Sequence, residues 1–417
     1  MPEHRELAEL VHCTNEKIIA KKDPNMPYVG LEHIPQRGSE ITEHSHAGDS
    51  ISTNSVFRES DVLFGKLRPN LRKCVLARFA GYCSTDILVL RALPGASPSY
   101  AVRVLQSEQV GAEAEKTAIG TKMPRTSWAS LKNVKVFAPS ISQQQKIAQI
   151  LDTLDTQIQK TEALIAKLEK IKEGLLHDLL TRGIDQNGQL RPTLDQAPEL
   201  YKESALGLIP REWGVARIEE VSTKVTNGFV GIATPHYSQD NSGVLYLYGN
   251  NIRPNYVDLK KCERVTQRFH SLQTKSQLQD GDMLTVQSGH IGACAVYEKS
   301  LGEANCHALI ITRFKPEVVR SKFAALYCNS AIGMQAQGRL FIGSTILHIN
   351  TSDLAKLAIP VPPVPEQSQI INAFISTSDR LSEETKKKNK LMKIKTGLMN
   401  DLLTGRVRVT PLLKDAV

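Results

Sequence analysis

The chain has 417 residues, 41% of them hydrophobic and 23% charged, which is the composition of an ordinary soluble globular protein too long for one hydrophobic core. A net charge of +9 favours a polyanionic partner. No apolar run approaches the roughly 18 residues of a membrane helix, and the charged first twenty residues lack the apolar core of a signal peptide, so a cytoplasmic protein is expected.

In chain order, residues 1–139 read as a mixed sheet domain. The stretch FGKLRPNLRKCVLARFAGY, Phe64 to Tyr82, carries Lys66, Arg68, Arg72, Lys73 and Arg78 with no acidic residue. A strand is expected at DILVLRA, Asp86 to Ala92, and another at NVKVFAP, stopped by Pro139. Residues 140–182 then show apolar positions at alternating steps of three and four: Ile147, Leu151, Leu154, Ile158, Ile165, Leu168, Leu175 and Leu179, interrupted by Thr161 and Lys172. This is a long helix with a seam for a partner helix. Ser140 or Ser142, each three before a glutamine, supplies its start signal.

Residues 183–210, polar and turn-rich, read as a linker packed on the surface. Residues 211–362 repeat the mixed pattern, with strands at ALIITRF, Ala308 to Phe314, and at KLAIPVP. Residues 363–405 form a second long helix opened by Pro365. Its seam is Ile370, Phe374, Leu381, Leu391, Leu398 and Leu402, with Thr377, Glu384, Lys388 and Lys395 between them, and residues 406–417 are a tail.

The second half repeats the first. At a shift of 223 residues Gly120 falls on Gly343, Pro139 on Pro362 and Gln144 on Gln367, and KEGLLHDLLT recurs as KTGLMNDLLT. The natural partner of each long helix is therefore the other copy. Gly174 and Gly397 recur inside the helices, where each costs about 1 kcal/mol relative to alanine. A close helix contact, a local break or simple inheritance from the duplication would each explain the pair.

Motifs of turnover are missing. There is no GxG turn for a dinucleotide or S-adenosylmethionine, no Asn/Asp-Pro-Pro-aromatic motif, no GxxxxGK[ST] loop and no triad-like arrangement. His44 with His46, and Cys306 with His307, lack a second ligand pair, so no metal site is expected. The seven cysteines form no CxxC pair and read as reduced, mostly buried thiols.

Two diverged domains, each ended by a P-x-x-x-x-Q-type helix start (APSISQQQKI, PPVPEQSQI) and a helix closing on GLLHDLLT or GLMNDLLT, resemble the specificity subunits (HsdS) of Type I restriction–modification systems. SALGLIPREWGV, Ser204 to Val215, and FIGSTILHI, Phe341 to Ile349, extend the resemblance; the first copy has AIGTKMPRTSW in place of the latter and no IP-x-x-W of its own. The resemblance implies an α+β fold, with two target recognition domains (1–139 and 211–362) separated by a pair of long antiparallel coiled-coil helices. It implies a non-catalytic phage-defence subunit that binds double-stranded DNA and reads a bipartite asymmetric target. Two methyltransferase subunits and the restriction subunits would dock on it, and S-adenosylmethionine, ATP and Mg would be bound by those partners.

On that reading, Lys66, Arg68, Arg72 and Lys73, with the loop Lys122, Arg125, Thr126 and Ser127, are the DNA-binding candidates of the first domain. The second domain offers Asn250, Asn251, Arg253, Gln287, Ser288, His290, Ser344, Thr345 and Asn350. Arginine suits guanine, and asparagine or glutamine suits adenine; phosphate contacts fix register. The alternatives are a specificity subunit of a methylation-only or other restriction system, and a coiled-coil scaffold that binds no DNA. Salt-dependent DNA binding separates the scaffold from the other two.

Overall fold

The computed structural model describes residues 3–19, 23, 25–38, 40–41, 43–49, 52–238, 242–341 and 347–414. The architecture is α+β, with two repeated mixed domains and two long helices, α1 at Ile141–Thr181 and α2 at Val364–Leu402. The chain forms two compact units: Met1–Ile165 with Glu384–Val417, and Ala166–Glu383. Each unit thus holds the first part of one long helix and the last part of the other.

The first unit is built on a four-stranded antiparallel sheet of β1 (Val11–Cys13), β2 (Val62–Gly65), β3 (Cys74–Leu76) and β4 (Ile87–Ala92), in the order β1-β4-β2-β3. The second unit repeats it with β5 (Ser222–Asn227), β6 (Met283–Val286), β7 (Cys294–Val296) and β8 (Leu309–Phe314), in the order β5-β8-β6-β7. Strands β2, β6 and β7 are buried along almost their whole length, which explains why apolar runs rather than alternation mark them. One bidentate ion pair recurs in both sheets: Arg91 on Asp61 in the first, and Arg313 on Asp282 in the second, with every N···O distance at 2.8 Å.

Helix starts also repeat. Gln144 donates to Pro139 O at 2.9 Å and accepts from Ser97 N at 2.9 Å; Gln367 donates to Pro362 O at 2.8 Å and accepts from Arg320 N at 2.7 Å. Both glutamines are buried, so each satisfies backbone groups that water cannot reach. Ser140 is the residue that starts α1, its N–H donating to Gln143 Oε1 at 3.2 Å.

Within each unit the helices run antiparallel. In the first, Asp155 meets Lys395 at 2.5 Å and, further along α1, Glu162 meets Lys388, earlier on α2, at 4.0 Å. In the second, the Lys172 ammonium lies 4.9 Å from the centre of the Phe374 ring, and past the end of α1 the N–H of Ile184 donates to Glu366, at the start of α2, at 2.9 Å. Of the expected seam, Ile147, Leu151, Leu168, Leu179, Ile370, Phe374 and Leu402 are buried. Leu154, Ile158, Ile165, Leu175, Leu381, Leu391 and Leu398 are half-buried, and buried Asp155 and Thr161 sit among them. The seam is therefore apolar at the helix ends and partly polar between.

The repeated helix end has a structural cause. Leu179 and Leu180 enter the core of the second unit with Trp213 and Phe323, and Leu402 and Leu403 enter the core of the first with Tyr100 and Phe137. Each DLL sequence is thus a plug for the domain of the other copy.

Two expectations are corrected. A Cβ at Gly174 or Gly397 would meet nothing within 4 Å, and both helices run through unbroken, so neither a close contact nor a break holds these glycines. Residues 183–210, expected as a surface linker, contribute buried Ile184, Ala197, Tyr201 and Ile209 and a hairpin, Tyr201–Ser204 with Gly207–Pro210. Arg191 in this stretch is buried, donating to Glu366 at 2.5 and 3.0 Å, and Trp213 Nε1 donates to the same carboxylate at 3.1 Å. The proline–tryptophan signal thus marks where the second domain is fastened to α2. All seven cysteines are free and five are buried. Among the described residues, no helix is long and apolar enough to cross a membrane.

Candidate nucleic-acid interface

The two groups of sequence candidates of the first unit lie on adjoining segments. The loop from β2 to β3, residues 66–73, is joined to residues 119–126 by backbone bonds: Arg68 N to Pro124 O at 2.7 Å and Thr126 N to Lys66 O at 3.0 Å. Leu67 bridges Arg125, which in turn bridges Ile119. Asp86 fixes the junction, taking Arg125 Nε and Nη2 at 2.8 and 2.9 Å. That bidentate bond holds the Asp86 carboxyl below the usual carboxylate range and raises the guanidinium of Arg125.

The individual roles differ from a uniform basic patch. Arg72 is largely covered and pairs with Glu115 at 2.7 Å and Glu108 at 2.9 Å. Lys73 donates to Leu31 O at 2.6 Å. Thr126 is buried against Thr117, and Ser127 caps the short helix Trp128–Leu131 by accepting from Ser130 N. Lys66 is half-buried, while Arg68 and Lys122 are exposed. Apolar Ile119 stands 83% exposed on the same loop, a feature that a search for basic residues passes over.

The second unit carries the corresponding junction. The loop after β6 is bridged at Ser288 to His348, and Ile349 N donates to Gln287 O at 3.1 Å. Counting back from the matched strands, Ser288 stands where Leu67 does, and His348 where Arg125 does, so the two loop pairs are one device built twice. Gln287 also donates to Ile349 O at 3.4 Å, a weak bond that braces the loop. Gly249 packs against this loop, since a Cβ there would lie 3.3 Å from Val286 Cγ1. Exposed Asn250, Ser288 and His290 and half-buried Arg253 and Asn350 remain on the surface. Asn251 does not: it is buried, accepting from Tyr248 N and donating to Asp258 O, both at 2.9 Å, which uses its amide to hold a turn. Ser344 and Thr345 lie outside the described residues.

Beside this junction the second unit holds an aromatic cluster. The Tyr246 hydroxyl lies 3.1 Å from His307 Nδ1, and the His307 ring sits 4.8 Å from that of Tyr248. Burial pushes the His307 imidazole below its ordinary value and the neighbouring Cys306 thiol up. Among the described residues no group of three His, Cys, Asp or Glu side chains is placed to hold a metal ion. The first surface therefore presents guanidinium and ammonium groups, and the second amide, hydroxyl, imidazole and guanidinium groups, donors and acceptors that meet phosphates and base edges.

Comparison with known proteins agrees with the duplication. The family model of the Type I restriction modification DNA specificity domain matches residues 3–170 and 210–393. The MjaVIII specificity subunit of a Type I restriction enzyme from Methanocaldococcus jannaschii is 24% identical over 70% of this chain and 66% of its own length. The EcoBI specificity subunit from Escherichia coli is 22% identical over 58% of this chain and 51% of its own length. The chain thus matches only about half to two thirds of these relatives' length. Among solved structures, the S subunit of a Type I restriction-modification system from M. genitalium superposes with a TM-score of 0.59 at 13% identity, over 96% of this chain and 95% of that one. A chain from a structure of the complex assembly and conformational transition of the type I R-M system gives 0.56 at 18% identity, over 98% and 99%. The two matched domains together cover most of the residues, and the chain belongs to the family of Type I restriction–modification specificity subunits.

Proposed function

We propose that this chain is the non-catalytic, DNA-binding specificity subunit of a Type I restriction–modification complex and reads a bipartite, asymmetric target. The observation that carries the reading is the loop junction built twice with different side chains. Lys66, Leu67 and Arg68 stand in one unit where Gln287, Ser288 and Gly289 stand in the other. Equal frames with unequal donors suit two unequal half-sites. The helices α1 and α2 then serve as the surface on which two methyltransferase subunits dock and as the ruler between half-sites. Restriction subunits join that assembly, and S-adenosylmethionine, ATP and Mg belong to the partners.

The test is binding of duplex DNA by the chain co-expressed with its methyltransferase partner, measured across salt concentrations. A steep fall of affinity with salt, together with preference for one split sequence, is expected. A complex that assembles yet shows neither contradicts the reading and leaves a scaffold protein.

A further inference from the structure

We propose that Arg68 is the base-reading residue of the first recognition domain, taking a guanine bidentately through O6 and N7 in the major groove. The inference rests on the DNA-binding reading above and names the contact within it.

The backbone gives the first reason. Arg68 has φ of +49°, in the left-handed region that L-residues with a Cβ rarely adopt. It also precedes Pro69, whose ring restricts the preceding residue to extended conformations. The second unit shows what the loop accepts without strain: the matching turn has Gly289 at φ +83° and Gly292 at φ +82°. Arginine at position 68 is thus an unfavourable choice for the fold, kept where glycine fits.

The side chains give the second reason. Arg72, the other left-handed arginine of the loop at φ +52°, is accounted for by its pairs with Glu108 and Glu115. Lys73 and Arg125 are engaged with Leu31 O and Asp86. Arg68 is exposed, and no polar partner of its guanidinium is found among the described residues. Its main chain, by contrast, is held at both ends, N to Pro124 O at 2.7 Å and O from Leu71 N at 2.9 Å. A strained, anchored backbone that projects a free planar fork matches what bidentate recognition of guanine requires. Lys122 on the adjoining loop is placed for a phosphate, and exposed Ile119 for a thymine methyl group or a base step.

The experiment compares Arg68→Gly and Arg68→Lys in the intact methyltransferase complex, reading the methylated sequence, the affinity for the unsubstituted complex's own target, and the melting temperature. Arg68→Gly is expected to melt about 2–4 °C higher, because a residue better suited to the backbone replaces a strained one. It is also expected to bind that target on the order of 10- to 100-fold more weakly and to accept other bases at one position of one half-site. Arg68→Lys keeps the charge and the non-specific, salt-dependent binding but loses discrimination at that same position. An unchanged methylated sequence in both variants overturns the proposal, as does a glycine variant whose lost binding comes with a lower melting temperature. Failure of the DNA-binding reading itself is separate and shows in the unsubstituted complex, which would then have no preferred sequence.

Discussion

Asp155 on α1 and Lys395 on α2 form an ion pair at 2.5 Å, and Arg103 of the first domain places Nη1 2.6 Å from the same carboxylate. The three side chains are 9, 18 and 6% exposed. Arg103 Nη2 also bonds Asp152 at 2.5 Å, so one domain is tied to two positions of α1 and, through Asp155, to α2. At the 223-residue shift the counterparts are Ser378, Lys172 and Leu326. There Lys172 turns to the Phe374 ring, and the buried Ser378 hydroxyl has no hydrogen-bond partner among the described residues. Asp155→Ala leaves buried Arg103 and half-buried Lys395 short of an anion. It should cost about 3 kcal/mol, the low end for a broken buried pair because Arg103 keeps Asp152. Denaturant unfolding of the purified chain measures it; a loss below about 1 kcal/mol would mean that the pair is solvated.

Gly174→Ala and Gly397→Ala should each stabilise the chain by up to about 1 kcal/mol, since both positions are helical, exposed and open around the missing Cβ. The pair tests whether these glycines are relics of the duplication. A stabilised double variant with unaltered assembly supports that. Stabilisation with loss of a partner subunit would place a partner's surface against them.

Charge substitutions in the two joined loops of the first unit, 66–73 and 119–126, should split by what each residue already touches. Lys122→Ala removes an exposed cation and should reduce the slope of log affinity against log salt by about 0.9 without affecting melting. Arg72→Ala removes two internal ion pairs from a covered side chain and should instead lower the melting temperature of the unit. Parallel salt titrations and melting curves decide between them, and the reverse pattern would show that Arg72 rather than Lys122 meets the DNA backbone.

His307 should make the second unit sensitive to acid. Burial lowers its folded value below the ordinary 6.5, so the unfolded chain binds the proton more readily. Its contribution is complete above about pH 6.5 and is lost as pH falls through that value toward the folded one. The melting temperature of His307→Asn should therefore fall less between pH 7.5 and pH 5.5 than that of the unsubstituted chain. Equal falls would show that other groups dominate.

Much of the framework was legible because it depends on local periodicity. Steps of three and four marked both long helices, and the ungapped 223-residue shift marked the duplication and the two leucine plugs. The site was only partly legible, because a side chain's role depends on contacts far away in sequence. Arg72 reads as a phosphate or guanine ligand until Glu108 and Glu115 fold against it, and Arg125 as a DNA-binding candidate until Asp86 takes its guanidinium. Asn251 reads as an adenine ligand, yet its amide closes a turn. Composition reports that a donor exists; the fold decides whether it is free. The strain at Arg68 has no sequence signal except the glycines of the other copy, and those become comparable only once β2 and β6 are matched.

The central claim, that two domains read two half-sites at a spacing set by α1 and α2, is tested most directly by lengthening both helices and sequencing the methylated sites. Four residues inserted after Ala163 and four after Lys386, at matched positions in the two copies, keep the antiparallel pairing in register in both units. Each insertion adds about 6 Å of rise, and nearly a whole turn, so the seam continues as a stutter. At about 3.4 Å per base pair, the account predicts the same two half-sites with a spacer longer by one or two base pairs. An unchanged spacer, or altered half-sites at the old spacing, would contradict it.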